Sequence, residues 1–259
     1  MMEHNFKKKY GQNFITDVNL LKAIVDDSDI GENDFVIEIG AGAGTLTREI
    51  CKRAKRVVSF EIDRDLEKFL LPLENEFDNL SVRFEDFMNA DVGEVTNGNE
   101  FSVVANLPYY ITTAIIQKFF DIRPKTMTIM VQKEVAERLS AKSGTSDYGA
   151  MSVICQAIAK IKITRIVPRT CFIPSPEVDS AVLKLEFNNN KIDKMFIEFI
   201  RGCFMAKRKT LSNNLSMYTG LSKKQIGFIL EEAGLNPNAR AEELSVYDFK
   251  NLYHKIMQK

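Results

Sequence analysis

Phe35-Val36-Ile37-Glu38-Ile39-Gly40-Ala41-Gly42-Ala43-Gly44 runs a short apolar segment, broken by one carboxylate, into three glycines at alternate positions. A run of this length, rich in β-branched residues and stopped by glycine, reads as a buried strand. Thr45 to Arg53, which follows, carries apolar residues at three-and-four spacing and reads as a helix. Glycines at such a strand-to-helix turn let the backbone approach a ligand closely, and the helix N-terminus adds the positive end of its dipole. A dinucleotide fingerprint counted from Gly40 needs its third glycine at position 45, where Thr45 stands, and there is no lysine for a phosphate loop. A pyrophosphate ligand is thereby disfavoured.

The same strand-and-helix alternation extends outward. Val57 to Phe60, a third strand near Val82 to Phe84, Phe101 to Ala105 and Thr126 to Val131 are further short apolar runs bounded by turn residues, and Thr112 to Phe120 has helical spacing. This pattern predicts an α/β protein built on an open parallel sheet with helices on both faces. Ile161 to Val167 and Val178 to Phe187 leave no room for a helix between them, so the sheet is expected to end in an antiparallel hairpin. Asn188-Asn189-Asn190 reads as a linker. Beyond it only helical patterns occur, at Ile192 to Cys203, Thr210 to Tyr218, Ser222 to Ala233 and Ser245 to Met257. Ser222 and Ser245 are suited to N-caps, and Gly220 and Gly234 to stops. The expected division is a domain over residues 1–187 and a small all-helical domain over 191–259.

Composition narrows the function classes. The chain has 259 residues, 45% hydrophobic and 27% charged, which excludes disorder, collagen and coiled coil. No apolar stretch approaches the ~20 residues of a membrane helix and no signal-like segment opens the chain, so a cytoplasmic protein without membrane partners is expected. Four separated cysteines and two histidines give no metal cluster and no redox pair, and reduced, mostly buried thiols are expected. Net charge is zero, yet from residue 186 onward 12 Lys and Arg face 8 Asp and Glu. The basic residues also cluster, at Lys7-Lys8-Lys9, at Lys160, Lys162, Arg165 and Arg169, and at Lys207-Arg208-Lys209. Such patches can bind phosphate even on a neutral protein.

Acidic residues close the two strands after the glycine turn. Glu61 lies 21 residues beyond Gly40, suited to the two hydroxyls of a ribose. Glu85-Asp86 follows the third strand, where a carboxylate can accept from an adenine amino group. Together these point to an adenosine-containing cofactor. The fourth strand ends in Asn106-Leu107-Pro108-Tyr109, which is similar to the [D/N]-P-P-[Y/F] tetrapeptide of enzymes that methylate exocyclic amines of nucleobases. The lone pair of an adenine N6 is delocalised into the ring. Two acceptors, the Asn106 side-chain oxygen and the Leu107 carbonyl, would hold its hydrogens and favour a more nucleophilic amine. Pro108 stiffens the turn and Tyr109 offers a stacking face to a base removed from its helix. No strong general base is required, because the amine becomes acidic as the methyl transfers.

With the stretches Lys8 to Phe14, Glu38 to Gly42, Glu61 to Asp63, Asn106 to Tyr109, Phe172 to Ser180 and Lys207 to Leu215, the chain resembles the ribosomal RNA adenine N6,N6-dimethyltransferases over nearly its whole length. The last two stretches are more like the small-subunit branch than the large-subunit enzymes of macrolide resistance. The resemblance implies a Rossmann-like, class I S-adenosylmethionine-dependent methyltransferase with a seven-stranded, mostly parallel sheet. It implies that Asn13 and Ile15 touch S-adenosylmethionine, that Gly40 and Gly42 line its methionine end with Glu38 in support, that Glu61 binds ribose and that Asp86 binds adenine. It further implies that Asn106 and Tyr109 hold the target adenine with Phe172 on its opposite face. The implied partner is 16S rRNA in the immature 30S subunit, where two adjacent adenosines are each methylated twice; apart from the resemblance, a monomer without metal is the default expectation.

Two departures stand out: Tyr110 where many relatives have Asn, and Met205-Ala206 in place of a more polar pair. The rival readings are a 23S rRNA or DNA adenine methyltransferase, a small-molecule methyltransferase, and an assembly factor acting mainly by binding.

Overall fold

The computed structural model describes residues 14–15, 17–190 and 192–257; Asn13 and the Lys7-Lys8-Lys9 run lie outside them. In chain order the elements are β1 (Phe14–Ile15), α1 (Val18–Asp27), β2 (Phe35–Ile39), α2 (Thr45–Cys51), β3 (Arg56–Phe60), α3 (Glu67–Glu76), β4 (Leu80–Arg83), α4 (Val92–Thr96), β5 (Ser102–Asn106), α5 (Thr112–Lys118) and β6 (Thr126–Gln132). There follow α6 (Lys133–Ser140), α7 (Ala150–Ile158), β7 (Ala159–Val167), β8 (Phe172–Ile173), β9 (Ser180–Phe187), α8 (Lys194–Cys203), α9 (Leu211–Thr219), α10 (Lys223–Glu232) and α11 (Val246–Met257).

All five residues of β2 are buried, as expected of a central strand covered on both faces. It pairs in parallel with β3 on one side and β5 on the other, and the seven-stranded sheet has the order β4-β3-β2-β5-β6-β9-β7. The chain winds outward from β2 through β3 to β4 and then crosses back to β5, so winding reverses between β2 and β5. In open α/β sheets, ligands bind beyond the carboxyl ends of the strands at such a reversal. Gly40 follows the end of β2 and Asn106 ends β5, which places both motifs at that crevice. β9 runs antiparallel to β6, as expected of the sheet's end, but it inserts between β6 and β7. A separate two-stranded pairing joins β1 to β8, with Phe14 opposite Ile173 and Ile15 opposite Phe172.

Contacts divide the chain into two compact units: residues up to Ala136 with Lys162–Phe187, and Glu137–Ile161 with Asn188 onward. The linker expected at 188–190 falls at one crossing between units. Residues 137–161, read from sequence as part of the N-terminal half, group with the C-terminal helices.

In the second unit the helix ends follow their capping residues. Ser222 and Gln225 bond reciprocally at the start of α10 (3.0 and 3.3 Å), and Ser245 and Asp248 do so at the start of α11 (2.9 and 3.2 Å). Gly220 closes α9 in the left-handed region at φ 77°. Asn214 is buried, donates to the carbonyls of Cys203 (2.8 Å) and Ala206 (3.2 Å), and accepts from the Ala206 N–H (3.2 Å). Its side chain thus takes the place of backbone partners for the loop that carries Lys207, Arg208 and Lys209.

No described helix is long and apolar enough to cross a membrane, and no group of three His, Cys, Asp or Glu among the described residues could hold a metal ion. Cys51, Cys155 and Cys203 are free and buried, and burial pushes the Cys51 and Cys155 thiols up to about 12.

Candidate active site

The turn after β2 is hooked onto the end of β3: the N–H groups of Gly40 and Ala41 both donate to Phe60 O, at 2.8 and 3.0 Å. Gly40 adopts φ 78° and Gly42 φ 59°, the left-handed region where a Cβ is penalised. Space adds a second reason for glycine. At Gly42 a Cβ would stand 2.9 Å from the Phe14 ring, closer than side-chain carbons approach. Bare backbone at Gly42 therefore lets the turn lie against the Phe14 ring.

Glu61 follows the end of β3 on the same side. It is buried; its Oε2 accepts from Gly42 N–H and its Oε1 from Asp63 N–H, both at 2.8 Å. Burial raises its pKa above the ordinary carboxylate value, and the backbone N–H groups of Asp63, Gly42 and Ile62 pull it back. A carboxylate has about four lone-pair sites, so further hydroxyl donors can still be accepted.

Glu38 lies deeper, within β2, and does not line the cavity. The Ser59 hydroxyl on β3 donates to its Oε2 at 2.6 Å. Burial pushes its carboxyl up to about 7, against the pull of the Ser59 and Thr47 hydroxyls and with a smaller push from Glu61.

Asp86 follows β4, and its Oδ1 accepts from Met88 N–H at 2.9 Å, capping one 3₁₀ turn. At the end of β5 the Leu107 N–H donates to Met130 O on β6 (3.2 Å), which continues the ladder by one residue. Pro108 O then accepts from Ile111 N–H (3.2 Å) and from the Thr112 hydroxyl (3.3 Å), opening α5. Tyr109 is half-buried beside them, and Tyr110 is largely exposed.

Ile15, Gly40, Gly42, Glu61, Asp86 and the turn 106–109 line one cavity of ≈ 240 Å³. These sequence-predicted residues thus meet in space. Phe14, Ile62 and Met88 line it as well; they are apolar neighbours of the motif residues, and nothing in their residue types marked them. Asn13 lies outside the described residues.

Phe172 differs from expectation. It is 3% exposed, does not line the cavity, and belongs to the buried apolar cluster that includes Ile15, Met130 and Val182. Its place in β8 opposite Ile15 holds the ring inward, so this geometry offers no stacking face. The basic clusters also sort themselves. Arg165 is engaged by Asp27 through two contacts of 3.2 Å, and Lys207 Nζ donates to Ser146 O at 3.0 Å. Arg208 and Lys209 are exposed.

The sequence model of one family, ribosomal RNA adenine dimethylase, matches residues 3–258. A ribosomal RNA small subunit methyltransferase A from Caldanaerobacter subterraneus subsp. tengcongensis is 45% identical over 260 residues, covering 96% of this chain and 97% of its own length. Among solved structures, a dimethyladenosine transferase from Plasmodium falciparum superposes with a TM-score of 0.82 at 26% identity, covering 95% of this chain and 98% of that one. The 23S rRNA methyltransferase ErmE superposes with a TM-score of 0.74 at 26% identity, over 95% of this chain and 100% of its own.

Proposed function

The chain belongs to the ribosomal RNA adenine dimethylase family, and from that premise we propose that it dimethylates N6 of two adjacent adenosines in the 3′-terminal hairpin loop of 16S rRNA, in the immature 30S subunit, using S-adenosylmethionine. The observation that carries this reading is that the Asn106-Leu107-Pro108-Tyr109 turn and the Gly40, Glu61 and Asp86 positions line the same cavity. Acceptors suited to an amine and acceptors suited to an adenosine cofactor thus share one volume.

The residues fit that cofactor. Glu61 retains acceptor capacity for ribose hydroxyls, Asp86 provides a carboxylate in the same cavity, and Gly40 presents bare backbone to it. Bound there, S-adenosylmethionine supplies a methyl group attached to a positively charged sulfur. Asn106 Oδ1 and the Leu107 carbonyl accept the N6 hydrogens, which favours a lone pair localised on nitrogen. Pro108 stiffens the backbone directly after them. The Tyr109 ring receives the extruded base by stacking. Asn106 and Leu107 need not take up the proton, since the methylated amine is acidic enough to release it to solvent. Exposed Arg208 and Lys209 contribute phosphate contacts on the helical unit.

The 45% identity with a small-subunit enzyme supports the 30S target. The likeness to ErmE favours a second reading, methylation of 23S rRNA. Incubating the protein with labelled S-adenosylmethionine and either 30S or 50S subunits from a strain lacking both modifications separates them. Label on 30S alone is expected, and label on 50S alone would move the target to the large subunit. Label on neither, with particle binding intact, would favour a role in assembly through binding.

A further inference from the structure

Tyr109 is anchored at the far end of its ring. Its hydroxyl lies 2.7 Å from Ser180 Oγ, so the two share a hydrogen bond across 71 positions of sequence. Ser180 is fully buried and opens β9, with Gln132 at the end of β6 as its register partner. The sheet ladder therefore fixes where this hydroxyl stands.

The preceding segment is tied in place as well. Asp179 O accepts from Lys133 N–H at 3.0 Å, and its carboxylate accepts from Arg169 N–H at 2.9 Å. The Ser175 hydroxyl donates to Arg169 O at 2.9 Å. Segment 169–180 is thus closed on itself, and Ser180 links it to the turn at the end of β5. A tyrosine ring on a loop can turn about two side-chain torsions, and holding its phenol removes that freedom. Stacking of an extruded base requires the ring in one plane before the base arrives, and small displacements at a reacting centre are costly.

We infer that Ser180 is a positioning residue for the methyl transfer: through the Tyr109 hydroxyl it sets the plane of the ring that receives the target base. This rests on the reading of Tyr109 as the stacking ring given above. Ser180 does not line the cavity, whereas Tyr109 does; Ser180 acts through Tyr109.

The test is a double-mutant cycle in the full chain, with unmodified 30S subunits as substrate. Ser180→Ala and Tyr109→Phe each remove one side of the bond, and the second leaves both the ring and the β9 ladder in place. Each is expected to lower turnover by roughly 3- to 10-fold, the worth of one neutral hydrogen bond. The double variant is expected to lose no more than either single, because both remove the same interaction. Affinity for S-adenosylhomocysteine should be unchanged throughout, which a general loosening of the fold would not permit. Losses that multiply in the double variant, or full activity in Tyr109→Phe, would overturn the inference. Tyr109→Ala separates the two levels. If it too transfers at the normal rate, the stacking role of Tyr109 fails and Ser180 with it; if it is slow while Ser180→Ala is not, only Ser180 falls.

Discussion

The Gly42 N–H donates to Glu61 Oε2 at 2.8 Å, joining the glycine turn after β2 to the carboxylate that closes β3. One residue thereby shapes the turn and keeps lone pairs for a ligand. Replacing Glu61 with Ala removes both. Loss of charged hydrogen bonds costs ~1.5–3 kcal/mol, or roughly 10- to 150-fold in affinity. Calorimetry with S-adenosylhomocysteine checks this, and an unchanged Kd would remove Glu61 from the cofactor site.

Tyr109→Ala should behave in the opposite way. Deleting a stacking ring costs ~1–3 kcal/mol on the RNA side, so transfer to 30S slows while cofactor affinity stays as it was. Equal loss of cofactor affinity would place the ring against the cofactor instead.

Phe172 carries a different expectation because it is buried in the apolar cluster. Phe172→Ala should cost ~3–5 kcal/mol of stability through lost burial and the cavity left behind, read as a lower denaturant midpoint. A variant of normal stability that fails only in methyl transfer would show that the ring works on the substrate side.

Glu38 makes stability depend on pH. Its carboxyl is pushed up to about 7 in the folded protein from an ordinary value of 4.5, chiefly by burial. A raised value means that the folded state holds the proton more tightly than the unfolded state. The contribution is complete below about pH 4.5 and is lost as pH rises through about 7. Between pH 4 and pH 8 this group therefore removes about 3 kcal/mol. Glu38→Gln, which stays neutral, should show a correspondingly shallower fall in unfolding free energy over that range. Identical pH slopes for the two proteins would contradict the buried, protonated carboxyl.

The parts of this fold that sequence revealed are those marked by punctuation. β2, β3 and β5 are apolar runs stopped by glycine, aspartate or proline, and their ends fall within a residue or so of the expected ones. The capped helices α10 and α11 were legible for the same reason. α7 was not: no side-chain hydrogen bond caps its start at Gly149 and it runs directly into β7 at Ala159, so no turn residue marks its end, and six of its nine residues are buried. The grouping of residues 137–161 with the C-terminal helices depends on tertiary contacts that no local signal announces.

Within the site, residues whose types imply chemistry were legible: Glu61, Asp86 and Asn106 sit after consecutive parallel strands, and parallel strands bring their carboxyl ends together. Phe172 illustrates the limit. The family resemblance implied a ring stacked on the target base, but Phe172 pairs opposite Ile15 and is buried in the apolar cluster. The bond between Tyr109 and Ser180 spans 71 positions, and nothing local in either segment signals it.

The central claim is that the Asn106-Leu107-Pro108-Tyr109 turn methylates adenine N6 in small-subunit rRNA. The most direct measurement maps methyl groups on 16S rRNA after reaction of unmodified 30S subunits with the wild-type protein and with Asn106→Ala. The account predicts dimethyladenosine at two adjacent positions of the 3′-terminal hairpin with the wild type, and a strong loss at both with the variant. Methyl groups elsewhere, or an Asn106→Ala protein that modifies both adenosines at the normal rate, would contradict it.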